Sequence, residues 1–239
     1  MPASRIAKAN NIMGILSLTL LPLSALGTQF GLFHFRTGLL LFLASALLGV
    51  VAVVIAALRT RAQSDETSRR LMSRSALMSL PAIAAFAFSS FAGGDAPMIH
   101  NVTTSPDNPP AFIAAPAKRG PDANPLAYSP EIAKIQLAAY PDLQSHHSSL
   151  SQAAAYERAL ETAEILGWDV YYQDAAEGHI EAVATTRWFG FKDDIAIRIS
   201  PNNNGAVVDL RSVSRVGKGD LGANARRIMK FLDLFENRS

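Results

Sequence analysis

The sequence TTRWFGFKDDIAIRISPNNNGAVVDLRSVSRVGKGDLGANARR occupies residues 185–227 and holds the clearest structural pattern of this 239-residue chain. Polar and apolar residues alternate over two runs, which is typical of half-buried β-strands. The turn sequence PNNNG at residues 201–205 separates the runs. Because so short a link joins antiparallel neighbours, the pattern predicts a β-hairpin that leads into a helix capped by Asp220.

Working outward from this hairpin, the same pattern predicts two further strands. The four strand-like runs cover residues 168–173, 179–188, 193–200 and 206–215, and short links make them an antiparallel meander. Ser129-Pro130 opens a short helix, a second helix begins near Ser149 or Ser151, and a third follows Asp220. The soluble part is therefore predicted to be an α+β domain with a four-stranded meander packed by two to three helices.

Alternation also predicts which face of the sheet is buried. The inward set comprises Ile180, Ala182, Ala184, Ile195, Ile197, Ile199, Val208 and Leu210. The outward set comprises Glu181, Thr185, Arg187, Arg198, Asp209, Arg211, Val213 and Arg215. A hairpin register that matches the apolar faces sets Arg198 opposite Asp209.

The first hundred residues indicate membrane spans. Residues 38–58 form an uncharged run of 21 residues, which as a helix covers about 30 Å of hydrocarbon. Residues 12–33 and 75–93 are two further candidates, although each contains a proline, Pro22 and Pro81. We therefore predict three transmembrane helices, with a cleaved signal peptide as the alternative for the first segment.

The distribution of arginine predicts the topology. The segment 59–74 holds five arginines, whereas the turn between the first two spans holds only Arg36. Because cytoplasmic loops are enriched in Lys and Arg, the amino terminus is expected in the cytoplasm and the carboxyl-terminal domain outside it.

Three regions follow from these patterns. Residues 1–97 are the membrane region, and residues 129–239 are the soluble domain. Residues 98–128 lie between them and are interpreted as an extended strap or linker, because the stretch from Pro97 to Pro130 contains eight prolines.

Composition bears on several classes of function. Residues 1–97 carry 8 Lys and Arg against 3 Asp and Glu, while residues 98–239 carry 14 against 17. A nucleic-acid-binding domain concentrates positive charge, so the net negative soluble part argues against nucleic acid as a partner. The chain has no cysteine, and its five histidines show no metal-site spacing. No metal, cofactor or catalytic residue is predicted.

The candidate site is therefore a surface of ionic residues. The outward sheet face is either a solvated face with cross-strand ion pairs or a surface that binds an anion or a partner. The glycine-containing loop 215–220, which leads into the last helix, is a second candidate for an anion. The residues of this candidate ligand or partner surface are Arg187, Arg198, Asp209, Arg211, Arg215, Lys218 and Asp220.

Three sequence blocks carry a resemblance to a known family. They read IHNVTTSPDNPPAF, TTRWFGFKDDIAIRI and DLRSVSRVGKGDLGANARRI. In this order they resemble domain-of-unknown-function (DUF) family 1499, over about residues 98–235. The resemblance implies a protein of the bacterial envelope, and hence the inner membrane with the soluble domain in the periplasm. It implies no activity.

These observations support three hypotheses of function. The first is a non-enzymatic envelope module that engages a protein or an anionic component. The second is a carrier of a small ligand or lipid, which requires an apolar cavity between sheet, strap and helices. The third is a hydrolase or transferase with Ser214 as nucleophile, which alternation disfavours because Ser214 and Arg211 belong to opposite faces. The lipid bilayer is the partner that the three spans predict.

Overall fold

The computed structural model describes residues 2–63 and 65–237. They fall into two compact units. The first unit runs to Ala92 and includes Arg187–Gly190. The second unit comprises Gly93–Thr186 and the residues from Phe191 onward.

The first unit contains three long helices, as predicted. They are α1 (Arg5–Gln29), α2 (Phe35–Arg59) and α3 (Glu66–Phe91). Each is long and apolar enough to cross a membrane. Helix α1 begins earlier than the hydropathy pattern predicts, because the Ser4 side chain accepts a hydrogen bond from the Ala7 amide and caps the helix.

Small polar residues hold these helices together. The Ser17 hydroxyl donates to the Ser45 carbonyl oxygen at 2.9 Å, and the Ser45 hydroxyl donates to the Ser17 carbonyl oxygen at 2.6 Å. Gly49, one turn after Ser45, is also buried, and a Cβ atom there would lie 2.8 Å from the Ser17 hydroxyl oxygen. In a lipid environment the hydrophobic effect does not drive helices together. Close backbone packing and hydrogen bonds of this kind associate them instead.

The second unit is an α+β domain around one antiparallel sheet. Its elements are β1 (Asn101–Thr103), α4 (Ala115–Lys118), α5 (Pro130–Ala139), β2 (His146–Ser148), α6 (Gln152–Ile165), β3 (Asp169–Asp174), β4 (His179–Thr185), β5 (Lys192–Asn202), β6 (Gly205–Ser214) and α7 (Ala223–Glu236). The strand order is β1-β6-β5-β4-β3, and β2 also pairs with β6. The predicted meander is therefore confirmed as β3 to β6.

The sheet has six described strands rather than the four predicted. Both additional strands, β1 and β2, contain only three residues and pair with the outer edge of β6. Three residues are too few for alternation to distinguish a strand from a loop. The pairing depends on long-range contacts that no local pattern reveals.

The predicted inward face is confirmed as the core of the domain. All eight predicted inward residues belong to one apolar cluster with α6 and α7. The rings of Trp168 and Phe231 stack at 5.4 Å between centroids, and Phe235 continues the stack at 6.1 Å from Phe231. These aromatic contacts fix α7 against the sheet.

The core position of Phe231 generates a test. We expect Phe231→Ala to lower the free energy of unfolding by about 3–5 kcal/mol, because it leaves a cavity beside Trp168. Met229→Ala on the same helix is the control, since Met229 is 43% exposed and a surface substitution changes stability by about 0.5 kcal/mol or less. Urea denaturation of the full chain in detergent measures both. Equal effects would contradict this packing.

Candidate functional site

The predicted strap 98–128 contains strand β1 (Asn101–Thr103), and its remaining residues 104–128, to which we restrict the name strap, lie across the outer face of the sheet. This face is opposite to α6 and α7. It carries four buried charged side chains, namely Glu181, Asp194, Asp209 and Arg211. The outer face is therefore not a solvated surface of exposed ion pairs. Burial of charge is costly unless each group is paired or hydrogen-bonded, so the contacts of these side chains define what the face can do.

Glu181 binds the backbone of the strap. Its carboxylate accepts hydrogen bonds from the amides of Ile113, Ala114 and Ala115, the last at 2.8 Å. The ring of His179 lies 3.2 Å away from the same carboxylate. Burial raises the pKa of Glu181, but the bonds from His179 and the three amides outweigh burial and hold the pKa below its ordinary value.

Asp194 is shared by two arginines from different segments. Arg119 of the strap pairs with Oδ2, and Arg215 donates to Oδ1 at 2.7 Å and to Oδ2 at 3.0 Å. The Tyr171 hydroxyl donates to Oδ1 at 3.3 Å. Val170 packs against the core, so alternation places Tyr171 on the outer face, and a β-bulge between Val170 and Tyr172 leaves Tyr171 without a partner in the strand register.

Arg211 is buried without a carboxylate among its described partners. Its guanidinium donates to Asn101 Oδ1 at 3.1 Å and to the carbonyl oxygens of Pro110 and Leu126. The rings of Phe112 and Tyr128 lie 5.2 and 5.8 Å from the guanidinium carbon. Burial lowers the pKa of Arg211 to about 10, so the group keeps its charge at neutral pH.

Arg198 and Asp209 form the predicted cross-strand pair. The two residues face each other in the β5–β6 register, and their side chains approach to 2.7 Å. Asp209 Oδ1 accepts from the hydroxyls of Ser145 and Thr104 at 2.5 and 3.2 Å. Arg198 also donates to the Asn108 carbonyl oxygen at 2.8 Å. Asp209 thus joins β5, β6, the strap and the loop before β2.

An open polar cleft adjoins this pair. Its volume is about 340 Å³. The cleft is lined by Thr104, Ser105, Pro106, Asp107, Gln144, Ser145 and His147. Thr104 and Ser145 both contact Asp209, so the cleft connects directly to the ionic network of the outer face.

Three of the predicted site residues lie apart from this network. Arg187 was expected on a strand, but β4 ends at Thr185 and Arg187 lies in the following turn, because Thr186 pairs with Phe191 and closes the hairpin there. Lys218 is exposed in the loop before α7. Asp220 accepts hydrogen bonds from the amides of Gly222 and Asn224 at 2.8 Å, but the N-cap of α7 is Gly222 and not Asp220 as predicted.

The serine considered as a nucleophile lies in a buried network. Ser214 accepts a hydrogen bond from the Asn224 side-chain amide at 3.0 Å. Its neighbour Ser212 donates to Asn224 Oδ1 at 2.7 Å and accepts from Arg227 at 3.0 Å. Both serines are 5% exposed or less. Among the residues that the structure describes, Ser214 therefore has neither a base nor an open cleft, which a nucleophile requires.

Sequence reasoning missed several residues of the outer face. Tyr171, Asp194, Arg119 and Asn101 were not among the candidates. Glu181 does carry a signal, because it interrupts a run of small and apolar residues in β4, whereas Asp194 follows Lys192 and Asp193 at the start of β5 and does not stand out. The strap partners carry little signal, since they contribute mainly backbone amides and carbonyl oxygens.

The family comparison agrees with the resemblance described above. Residues 101–235 match the model of a family described as "Protein of unknown function (DUF1499)". The match covers more than half of the chain, and the chain therefore belongs to this family. None of the curated proteins matches the chain.

The Glu181 contacts predict a pH dependence of stability. An unfolded glutamate titrates near 4.5, and the pKa in the folded domain is lower. The stabilisation is therefore complete above about pH 4.5 and is lost as the pH falls through the lower folded pKa. We expect Glu181→Gln to lower the free energy of unfolding at pH 7 by about 1–3 kcal/mol, because amides of the strap lose their acceptor.

Urea denaturation of the full chain between pH 3 and 7 checks this expectation, with Glu157→Gln as the control. Glu157 is exposed on α6, and its substitution should leave stability at pH 7 nearly unchanged. Equal stability of wild type and Glu181→Gln at pH 7 would show that the carboxylate does not hold the strap.

Proposed function

We propose that this chain is a non-catalytic, membrane-anchored module of the bacterial envelope that binds an anionic envelope component at the polar cleft. The observation that carries the proposal is the cleft beside Arg198 and Asp209. It is an open, polar part of an outer face that the strap otherwise covers.

Electrostatics favours an anion there. Four arginines contact the outer face, Arg119, Arg198, Arg211 and Arg215, and they face three strand carboxylates, Glu181, Asp194 and Asp209, and Asp107 in the lining of the cleft. Arg211 has no carboxylate among its described partners, and Asp209 is already occupied on both oxygens. The side chain of Arg198 is 23% exposed, so its charge lies in a partly buried environment where screening by solvent is weak. Hydroxyl and amide groups in the cleft supply neutral donors.

The two other hypotheses have less support. A carrier needs an apolar cavity under the strap, whereas the contacts between strap and sheet are ion pairs and hydrogen bonds to Glu181, Asp194 and Arg211. A hydrolase needs an accessible nucleophile with a base, and Ser214 is buried with an amide partner.

The proposed location is the inner membrane, with the amino terminus in the cytoplasm and the soluble domain in the periplasm. The arginines of segment 59–74 support this orientation. We therefore expect activity from a reporter enzyme that works only in the periplasm when it is fused after residue 239 and expressed in a bacterial host. Fusion in the loop near residue 62 is the matched control and should be inactive. The reverse pattern would refute the periplasmic assignment.

Binding can be tested with a fluorophore at the cleft. The chain has no cysteine, so Gln144→Cys provides a single labelling site at the cleft in the full chain in detergent. We expect a phosphate-bearing envelope glycan to change the fluorescence and a neutral glycan of similar size not to. Arg198→Gln should weaken binding about 10-fold or more, since a charge-assisted hydrogen bond contributes about 1.5–3 kcal/mol.

The control for net charge is Lys230→Gln, which removes one exposed positive charge on α7. It should leave the affinity within about twofold, because exposed charges more than about 10 Å away are screened. Equal binding of the charged and neutral glycans, or equal weakening by both substitutions, would refute the proposed anion site.

A further inference from the structure

Helix α5 packs Ile132 against the core, yet it buries a polar residue fully and leaves two large apolar residues exposed. Its fully buried residue is Gln136, whose side chain accepts from the Thr103 amide at 2.9 Å and donates to the Thr103 carbonyl oxygen at 2.7 Å. The Tyr128 hydroxyl also donates to Gln136 at 2.9 Å. The apolar residues Ile135 and Leu137 are instead 43% and 53% exposed. An amphipathic helix on a soluble domain normally buries its apolar stripe.

Part of this exposed surface forms a groove of about 660 Å³. The groove is lined by Pro97, Glu131, Lys134, Ile135, Ala138 and Ala139. The helical residues in this set recur at spacings of three and four, so they share one side of α5. Met98, next to Pro97 in the chain, is 72% exposed. A concentrated apolar surface of this kind marks an interaction site.

The occupant is inferred from the position of the groove along the chain. Pro97 comes six residues after Phe91, the last residue of the membrane-spanning helix α3. Six residues cover at most about 20 Å when fully extended, so the tether keeps the groove within reach of the bilayer surface. A lysine such as Lys134 buries its methylene stem and extends its ammonium group to lipid phosphates.

A protein partner fits this surface less well. A stable protein interface buries about 800 Å² on each side and involves about 20–30 residues, whereas six residues line the groove. A lipid surface needs no such area, because an interfacial helix inserts a few apolar side chains between headgroups. We infer that the groove side of α5 docks on the lipid headgroup surface of the membrane. This inference is independent of the proposed anion cleft.

Two single-cysteine variants of the full chain test the inference. Ile135→Cys places a label in the groove, and Leu137→Cys places one on the same helix about 160° away. Both native residues are similarly exposed, so they are a matched pair. Each variant carries an environment-sensitive fluorophore and is reconstituted into vesicles of phosphatidylethanolamine and phosphatidylglycerol that contain lipids with a quencher near the headgroup.

We expect the label at position 135 to be quenched several-fold more than the label at position 137. Quenching should also persist when the chain is diluted tenfold in lipid. Equal quenching of the two labels, or none at position 135, would overturn the inference. Loss of the difference on dilution would assign the groove to a second copy of the chain and would overturn it as well.

Unlabelled protein provides a second measurement that does not depend on the cysteine variants. Amide hydrogen exchange of α5 should be slower in vesicles than in detergent, and Ile135→Lys should reduce that protection while Leu137→Lys leaves it unchanged. Equal exchange of wild-type α5 in both environments would overturn the inference.

Discussion

The soluble domain depends on the neutralisation of charges that are buried between its sheet and its strap. Glu181 alone holds three consecutive strap amides, and Arg211 holds two strap carbonyl oxygens. A proline-rich segment has few backbone donors and makes no regular ladder of its own. Side chains of the sheet therefore supply the hydrogen bonds that fix the strap, and a segment with almost no secondary structure becomes a layer of the fold.

This arrangement distinguishes the arginines that are committed to the strap or to Asp194 from the one that adjoins an open cleft. Arg211, Arg119 and Arg215 are committed to the strap or to Asp194. Arg198 also has a partner in Asp209, but that pair adjoins an open cleft and keeps 23% of the arginine side chain exposed. Counting arginines on the face would overestimate its binding capacity. What distinguishes the Arg198–Asp209 pair is access, because Thr104 and Ser145, which both donate to Asp209, line a space that a ligand can enter.

The predictable features are those with a local period. Hydropathy over residues 38–58 predicts a membrane span, and the structure has there a helix that is long and apolar enough to cross a membrane. The alternation of Ile195, Ile197 and Ile199 predicts the core face and the Arg198–Asp209 register, both of which the structure confirms. The strap contacts of Arg211 were not predictable, since they are made to backbone carbonyl oxygens, which every residue has. Arg187 was misplaced because alternation continues through the residues where the hairpin turns. The assignment of the site itself stays a prediction.

The two short strands on β6 have a consequence for assembly. An unpaired edge of a sheet offers a row of amides and carbonyl groups to which an extended peptide can add as a further strand. β1 and β2 occupy the β6 edge along residues 206–208 and 211–213, so this side of the domain offers little free backbone for such strand addition. Stacking of copies into fibrils through this edge is discouraged in the same way, even where neighbouring chains are crowded in one membrane.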